Sequence, residues 1–518
     1  MNEAILSLVT FLPLAAAIAL MFFPAPRPVA LDSHGHAVEG EPDSRANAIR
    51  WFAMIISVAE FVISLHLPFH YNGGKPGFQF EINVPWISSP AIRYHMGVDG
   101  ISMWLVVLTT FLTPMCVMIS WRSVQDRVRE FFILLLTLQT ALIGVFVALD
   151  LFLFYFFWEA TLIPMALLIG MYGHERRVYA AVKFFLYTMV ASVFMLAAIL
   201  WLYAQTGSFD YATVRQAVQA GIVVTPNAVR WLFLGFFIAF AVKVPLFPFH
   251  TWLPDAHVEA PTAGSVMLAG VLLKMGTYGL LRFNVQMFPG EAKTNAPWIV
   301  ALAIIGIVYG ALVAMVQPNM KKLIAYSSIS HLGFVVLGIF TFTQTGVDGA
   351  VYQMLNHGVS TGALFMLAGI LYERRHTYEI REFGGLATPM PVYATLFVWI
   401  TLSSVGLPLM NGFVGEFLIL SGAFRTRAVY GIVAATGVIW SACYLLWMVM
   451  RVFYGENANP KNATIADAST RERLALAPLA IAALVMGVVP FLWMSSIDSS
   501  VQLALRPLAE QIAQVIGR

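Results

Sequence analysis

Apolar runs of about 20 residues recur along almost the whole chain, and each can cross roughly 30 Å of hydrocarbon as a helix. Backbone N–H and C=O groups in lipid must be satisfied within the segment, so these runs form helices rather than open strands. Of the 518 residues, 59% are hydrophobic and only 11% charged. A soluble protein of this length carries about a quarter charged residues. The fold class that follows is an all-α polytopic membrane protein.

Set against the intervening loops, the runs predict about 14 transmembrane helices. They lie near 4–23, 50–68, 101–120, 131–148, 150–171, 180–204, 230–247, 262–282, 297–316, 322–342, 350–371, 392–424, 429–450 and 474–495. The first lacks the basic leading segment of a cleaved signal peptide and reads as a retained helix. The run 392–424 is too long for one straight crossing and carries Pro408, Asn411 and Gly412 at its middle, so it reads as two half-helices around a break. The segment with Pro245, Pro248 and Pro254 reads as broken in the same way. Val242-Lys-Val-Pro-Leu246 and Val405-Gly-Leu-Pro-Leu409 resemble each other and fall in the two breaks. Paired interruptions in two halves are the sequence pointer to a transporter-type site near the bilayer midplane.

Lys and Arg concentrate in the loops after the odd-numbered helices, including Arg176, Arg177, Lys321, Lys322, Arg374 and Arg375; only Lys243 and Lys274 are read within helices. This asymmetry predicts odd loops in the cytoplasm and both termini outside. A formal net charge of +3 with no separate basic cluster gives no reason to expect nucleic-acid binding. Cys116 and Cys443 are too few for an iron–sulfur cluster, which normally takes four ligands, and read as small buried hydrophobes. The stretch Pro24–Ala48, with His34, His36, Glu39, Glu41 and Asp43, reads as a solvated loop rather than a metal site, and Glu456–Ala468 as a second solvated linker.

Six ionisable residues sit inside apolar stretches: Glu159, Lys243, Lys274, His331, His357 and Glu416. Each charge at a helix centre costs about 2.5–3.5 kcal/mol on insertion scales. Glu159 ends the run Asp150-Leu-Phe-Leu-Phe-Tyr-Phe-Phe-Trp-Glu159 with no polar neighbour for several residues before it. An inert Glu159–Lys243 pair that only sets packing is one reading. For six groups spread over six helices it is a poor one, because apolar residues pack as well without the desolvation penalty. Gln353, Asn356, Ser360 and Thr361 share a polar face with His357, while Ser327, Ser328 and Ser330 surround His331. Histidines in such settings pass protons between their two nitrogens. Lys274, between Leu273 and Met275, has no local partner and reads as a relay group.

Phe249-His-Thr-Trp-Leu-Pro-Asp-Ala-His-Val-Glu-Ala-Pro-Thr262 and Lys321-Lys-Leu-Ile-Ala-Tyr-Ser-Ser-Ile-Ser-His331 resemble signature segments of the antiporter-like subunits of respiratory complex I and of multisubunit cation/proton antiporters. The resemblance spans roughly 95–455. It implies two inverted five-helix repeats, each with one broken helix: N-terminal helices over 1–125, repeats over 126–290 and 291–455, and a linker with a C-terminal helix over 456–518. It further implies that Glu159 pairs with Lys243, that Lys274 is the central proton carrier, and that His331 and His357 lead toward Glu416. Asp150 matches an acidic residue opening the glutamate-bearing helix. A glutamate at 416 matches the glutamate-bearing type within the family, where sister subunits carry lysine.

The function so implied is proton translocation in the membrane arm of an NADH:quinone oxidoreductase. No cofactor is expected in this chain, with NADH, FMN, iron–sulfur clusters and quinone elsewhere in the complex. The implied partners are other membrane-arm subunits, including the sister subunits L and N and the lateral helix of L, together with lipids, in a bacterial inner membrane. A sodium/proton antiporter subunit and a purely structural membrane spacer remain as the alternatives.

Overall fold

The computed structural model describes residues 4–26, 43–222, 225–457 and 459–516, without the side chains of 509–516. His34, His36, Glu39 and Glu41 of the first polar loop lie outside the described residues. Among those described, 11 helices are long and apolar enough to cross a membrane, or 12 with the pair Thr470–Val488 and Phe491–Leu508, whose axes bend by 66°. Two shorter apolar helices, Ile5–Met21 and Pro391–Val405, accompany them.

Local chemistry sets where the helices begin. Asp43, Asp150, Thr225, Asn319 and Thr343 each turn a side-chain oxygen onto backbone N–H groups of the first turn that follows. Pro226, Pro289 and Pro391 occupy first helical positions, where a missing N–H costs nothing. Ser469 and Glu472 close a reciprocal capping box on Thr470–Val488.

Both expected interruptions are present. The helix Pro226–Lys243 stops at the prolines and resumes as Trp252–Glu259; the indole N–H of Trp252 donates to the Val242 carbonyl at 2.9 Å and ties the halves together. Pro391–Val405 stops at Gly406 and resumes as Asn411–Thr426. Gly406 (φ 83°) and Leu409 (φ 75°) take left-handed backbone there, an unfavourable conformation for leucine that marks the break as strained.

Three elements depart from the sequence reading. Residues Gln79–Ile87 and Ile92–Val98 form an antiparallel ribbon, so the chain is not purely helical. A two-stranded ribbon cannot close into a barrel and so does not cross lipid, and the span-length argument says nothing of it. A short helix, Tyr211–Gln219, occupies a segment read as loop. The single span expected near 474–495 is two helices, Thr470–Val488 and Phe491–Ile516, divided where Pro490 follows the end of the first.

Candidate functional site

The long helix Gln344–Arg375 is packed on every side, with Met320–Ile339, Asn411–Thr426 and the segment Thr262–Val285 against it. Lys274 comes from Thr262–Val285, His331 from Met320–Ile339, His357 from Gln344–Arg375 and Glu416 from the second half of the broken helix. Thr262–Val285 is irregular around its lysine: Leu268–Leu272 and Leu280–Val285 are wound as wider π-helical turns, a feature frequent at functional sites.

The four groups form one chain of contacts. Lys274, fully buried, places Nζ 2.7 Å from Nδ1 of His357 and also donates to the Ala269 carbonyl. The rings of His357 and His331 are 6.0 Å apart between centroids. His331 Nδ1 then lies 2.8 Å from Oε1 of Glu416, which also accepts from the Gln353 amide at 3.1 Å. Asn356 donates to Gln353, and Asn411 to the Asn356 carbonyl, so the second break is stitched to the same helix. The other ring nitrogens, Nε2 of His331 and Nε2 of His357, lack a protein partner.

Glu159 and Lys243 are arranged differently. Asp150 accepts from the Phe152 and Leu153 N–H groups and from that of Arg93, fixing the start of the Glu159 helix. Lys243 is fully buried at the last position before the first break. Its Nζ sits 5.4 Å from the centroids of both Trp158 and Phe184 and has no hydrogen-bond partner. Oε1 of half-buried Glu159 is likewise without one. The expected direct pair is therefore absent. Aromatic faces surround the ammonium instead, an attraction worth up to about 2 kcal/mol when desolvated.

Several buried charges escaped the sequence reading. The basic doublet at Lys321 reads as loop, yet Asn319 caps a helix starting at Met320, and Lys321 is buried with Nζ donating to the Ala260 carbonyl at 2.6 Å. It thereby caps the second half of the first broken helix. The Asn319 capping signal was the available cue. Arg282 and Asp99 form a buried ion pair at 2.6 Å, and His257 is fully buried, stacked on Phe365 with neither ring nitrogen bonded. Among the described residues no group of three or more His, Cys, Asp or Glu is arranged to hold a metal ion.

Fold and site together define a polytopic membrane protein with a row of ionisable side chains in its interior. Residues 148–441 match the family described as NADH:quinone oxidoreductase/Mrp antiporter, TM, and residues 78–145 match the amino terminus of NADH-ubiquinone oxidoreductase chain 4. NADH-quinone oxidoreductase subunit M of Rhodobacter capsulatus is 47% identical over 507 residues, covering 96% of both chains. NADH-ubiquinone oxidoreductase chain 4 of Marchantia polymorpha is 40% identical over 464 residues, 89% of this chain and 92% of its own. A chain of respiratory complex I from Thermus thermophilus with bound NADH superposes with a TM-score of 0.85 at 30% identity, covering 98% of this chain and 100% of that one. The chain belongs to the NADH:quinone oxidoreductase/Mrp antiporter membrane family, in its subunit M (chain 4) branch.

Proposed function

We propose that this chain is a proton-translocating membrane-arm subunit of an NADH:quinone oxidoreductase, moving protons through its buried side chains while quinone is reduced elsewhere in the complex. The observation that carries the reading is the contact chain from Lys274 through His357 and His331 to Glu416, four titratable groups from four helices. Buried groups without a transport role would be costly to keep.

In this account Glu159 and Lys243 form the input on the cytoplasmic side. Lys274 holds the proton centrally and hands it to His357 Nδ1. One water between the two free Nε2 atoms joins the imidazoles, since such a bridge is nearly as favourable as a direct bond. Glu416 receives the proton from His331 and is the output group, with Gln353 holding its carboxyl in place. The gap between Glu159 and Lys243 makes that pair a switch: it closes in one state and leaves Lys243 on its aromatic cradle in the other.

Counting Ile5–Met21 and the broken pair Pro391–Val405 with Asn411–Thr426 as one crossing each brings the spans to the expected fourteen. Residues 126–290 and 291–455 are the inverted repeats, each containing one break. Both termini face outward in the bacterial inner membrane. The neighbours are other complex I membrane subunits, including L, N and the lateral helix of L, with lipid around them.

Glu159→Gln in native membranes tests the function. NADH:quinone turnover and proton uptake should fall together, with NADH oxidation by an artificial acceptor and assembly intact. Normal coupled rates in an assembled complex would reduce Glu159 to a structural role.

A further inference from the structure

A further buried acid, Glu60, lies apart from this route. On the helix Ser44–Ser64 the buried residues include Arg50, Ala53, Ser57, Glu60 and Ser64, at the three- and four-residue spacing of one helical face. Ser64 shares a hydrogen bond of 2.7 Å with Thr110, and the Gln139 amide donates to Glu60 Oε2 at 2.7 Å. Glu60 and Gln139 are both fully buried, and among the described residues no ion pair joins Glu60. Arg50, on the same helix, is ten residues and so about 15 Å away. It is engaged with Asn47, Val124 and Gln125 at the other end.

Two oxygens of this pair lack a protein hydrogen-bond partner: Oε1 of Glu60 and Oε1 of Gln139. With an ionised carboxylate both are buried acceptors to which no protein group donates, a cost of about 1–3 kcal/mol for each orphaned group before the charge itself is counted. A single proton removes all three penalties. Placed on Glu60 Oε1, it donates to Gln139 Oε1 while the Gln139 N–H donates to Glu60 Oε2. The acid and the amide then satisfy each other in a closed ring of two hydrogen bonds.

We infer that Glu60 and Gln139 form a proton-binding site in the N-terminal helices, occupied at rest as a neutral acid–amide pair and separate from the Lys274 route. The site needs no counter-ion, which accounts for a glutamate in a span with no basic partner. Ser57 and Ser64, with Thr110, line the same face above and below it.

Infrared absorption of the intact complex in native lipid tests this. The parent should show a C=O stretching band of a protonated carboxyl that Glu60→Gln lacks. A difference confined to carboxylate stretching bands means that Glu60 is ionised and overturns the inference. Gln139→Leu supplies the second arm, and decides alone if Glu60→Gln does not assemble. The acid band should persist in Gln139→Leu but move to higher frequency as its hydrogen bonds are lost. An unmoved band excludes the acid–amide pair.

Discussion

The two broken helices share a backbone device and differ in what surrounds it. At the first break the Trp252 indole bridges the halves, and Lys243 rests against Trp158 and Phe184 without a hydrogen bond. At the second, Glu416 is held by His331 and Gln353, and Asn411 by its links to Ser403 and Asn356. One break is lined by aromatic faces and leaves its charge unpaired; the other is lined by amides and imidazole and leaves its charge satisfied. A group without fixed partners changes partner at little cost, whereas a fully bonded one is held in place. The asymmetry suits a switch at one end and a fixed acceptor at the other.

Substitutions should separate the two ends, and the largest effect is expected at the satisfied one. Glu416→Ala orphans the His331 Nδ1 and Gln353 Nε2 atoms, at about 1–3 kcal/mol for each buried group. The melting temperature of the purified complex should fall clearly, with coupled turnover reduced about tenfold or more, equal to at least 1.4 kcal/mol of barrier. Lys243→Met should reverse the balance. It removes an unpaired buried charge from an aromatic cage, so stability should hold or rise, as it often does when buried ions give way to apolar residues. Proton uptake should nevertheless drop, by about tenfold on the same scale. Equal thermal losses in the two variants would erase the distinction between the breaks.

A smaller effect is expected at the loop that holds His174. His174 lies between spans, next to Tyr372 and Tyr378; burial, with Lys321 nearby, lowers its pKa from 6.5 to about 4. The unfolded chain therefore takes up this proton at higher pH than the folded one. Stability from His174 is fully present above pH 6.5 and declines as pH falls toward 4. His174→Gln should flatten that decline in a series of melting curves, and an unchanged slope would place the acid sensitivity elsewhere. Smallest of all, Cys443, exposed rather than buried as its apolar flanks suggest, should on change to Ser shift stability by no more than about 0.5 kcal/mol.

Much of this was legible in the sequence because lipid leaves few choices. A run such as Val128–Val147 has no other stable form, and Pro245 and Pro408 mark breaks by removing N–H donors from otherwise continuous helices. The same reasoning was blind outside the hydrocarbon. The ribbon Gln79–Val98 is held by cross-strand pairing and by contacts such as Leu149 N–H to the His95 carbonyl, which no hydropathy pattern reports.

Buried charge was legible only where apolar residues flanked it. Lys274 stood out for that reason, whereas Lys321 hid in a basic doublet and Glu60 among the serines of its helix face. Which groups touch could not be read at all. Lys274 meets His357 across 83 positions, and Glu159 misses Lys243 because side-chain packing, not spacing, decides the last few ångströms.

The proposed route passes through one side chain at its centre, so Lys274→Met in the reconstituted complex is the most direct measurement. Protons taken up per NADH oxidised by quinone are counted alongside NADH oxidation by an artificial acceptor. Coupled turnover and uptake should collapse by about tenfold or more, with the artificial-acceptor rate and subunit composition unchanged. Full proton uptake in an assembled Lys274→Met complex would contradict a path through Lys274, His357, His331 and Glu416.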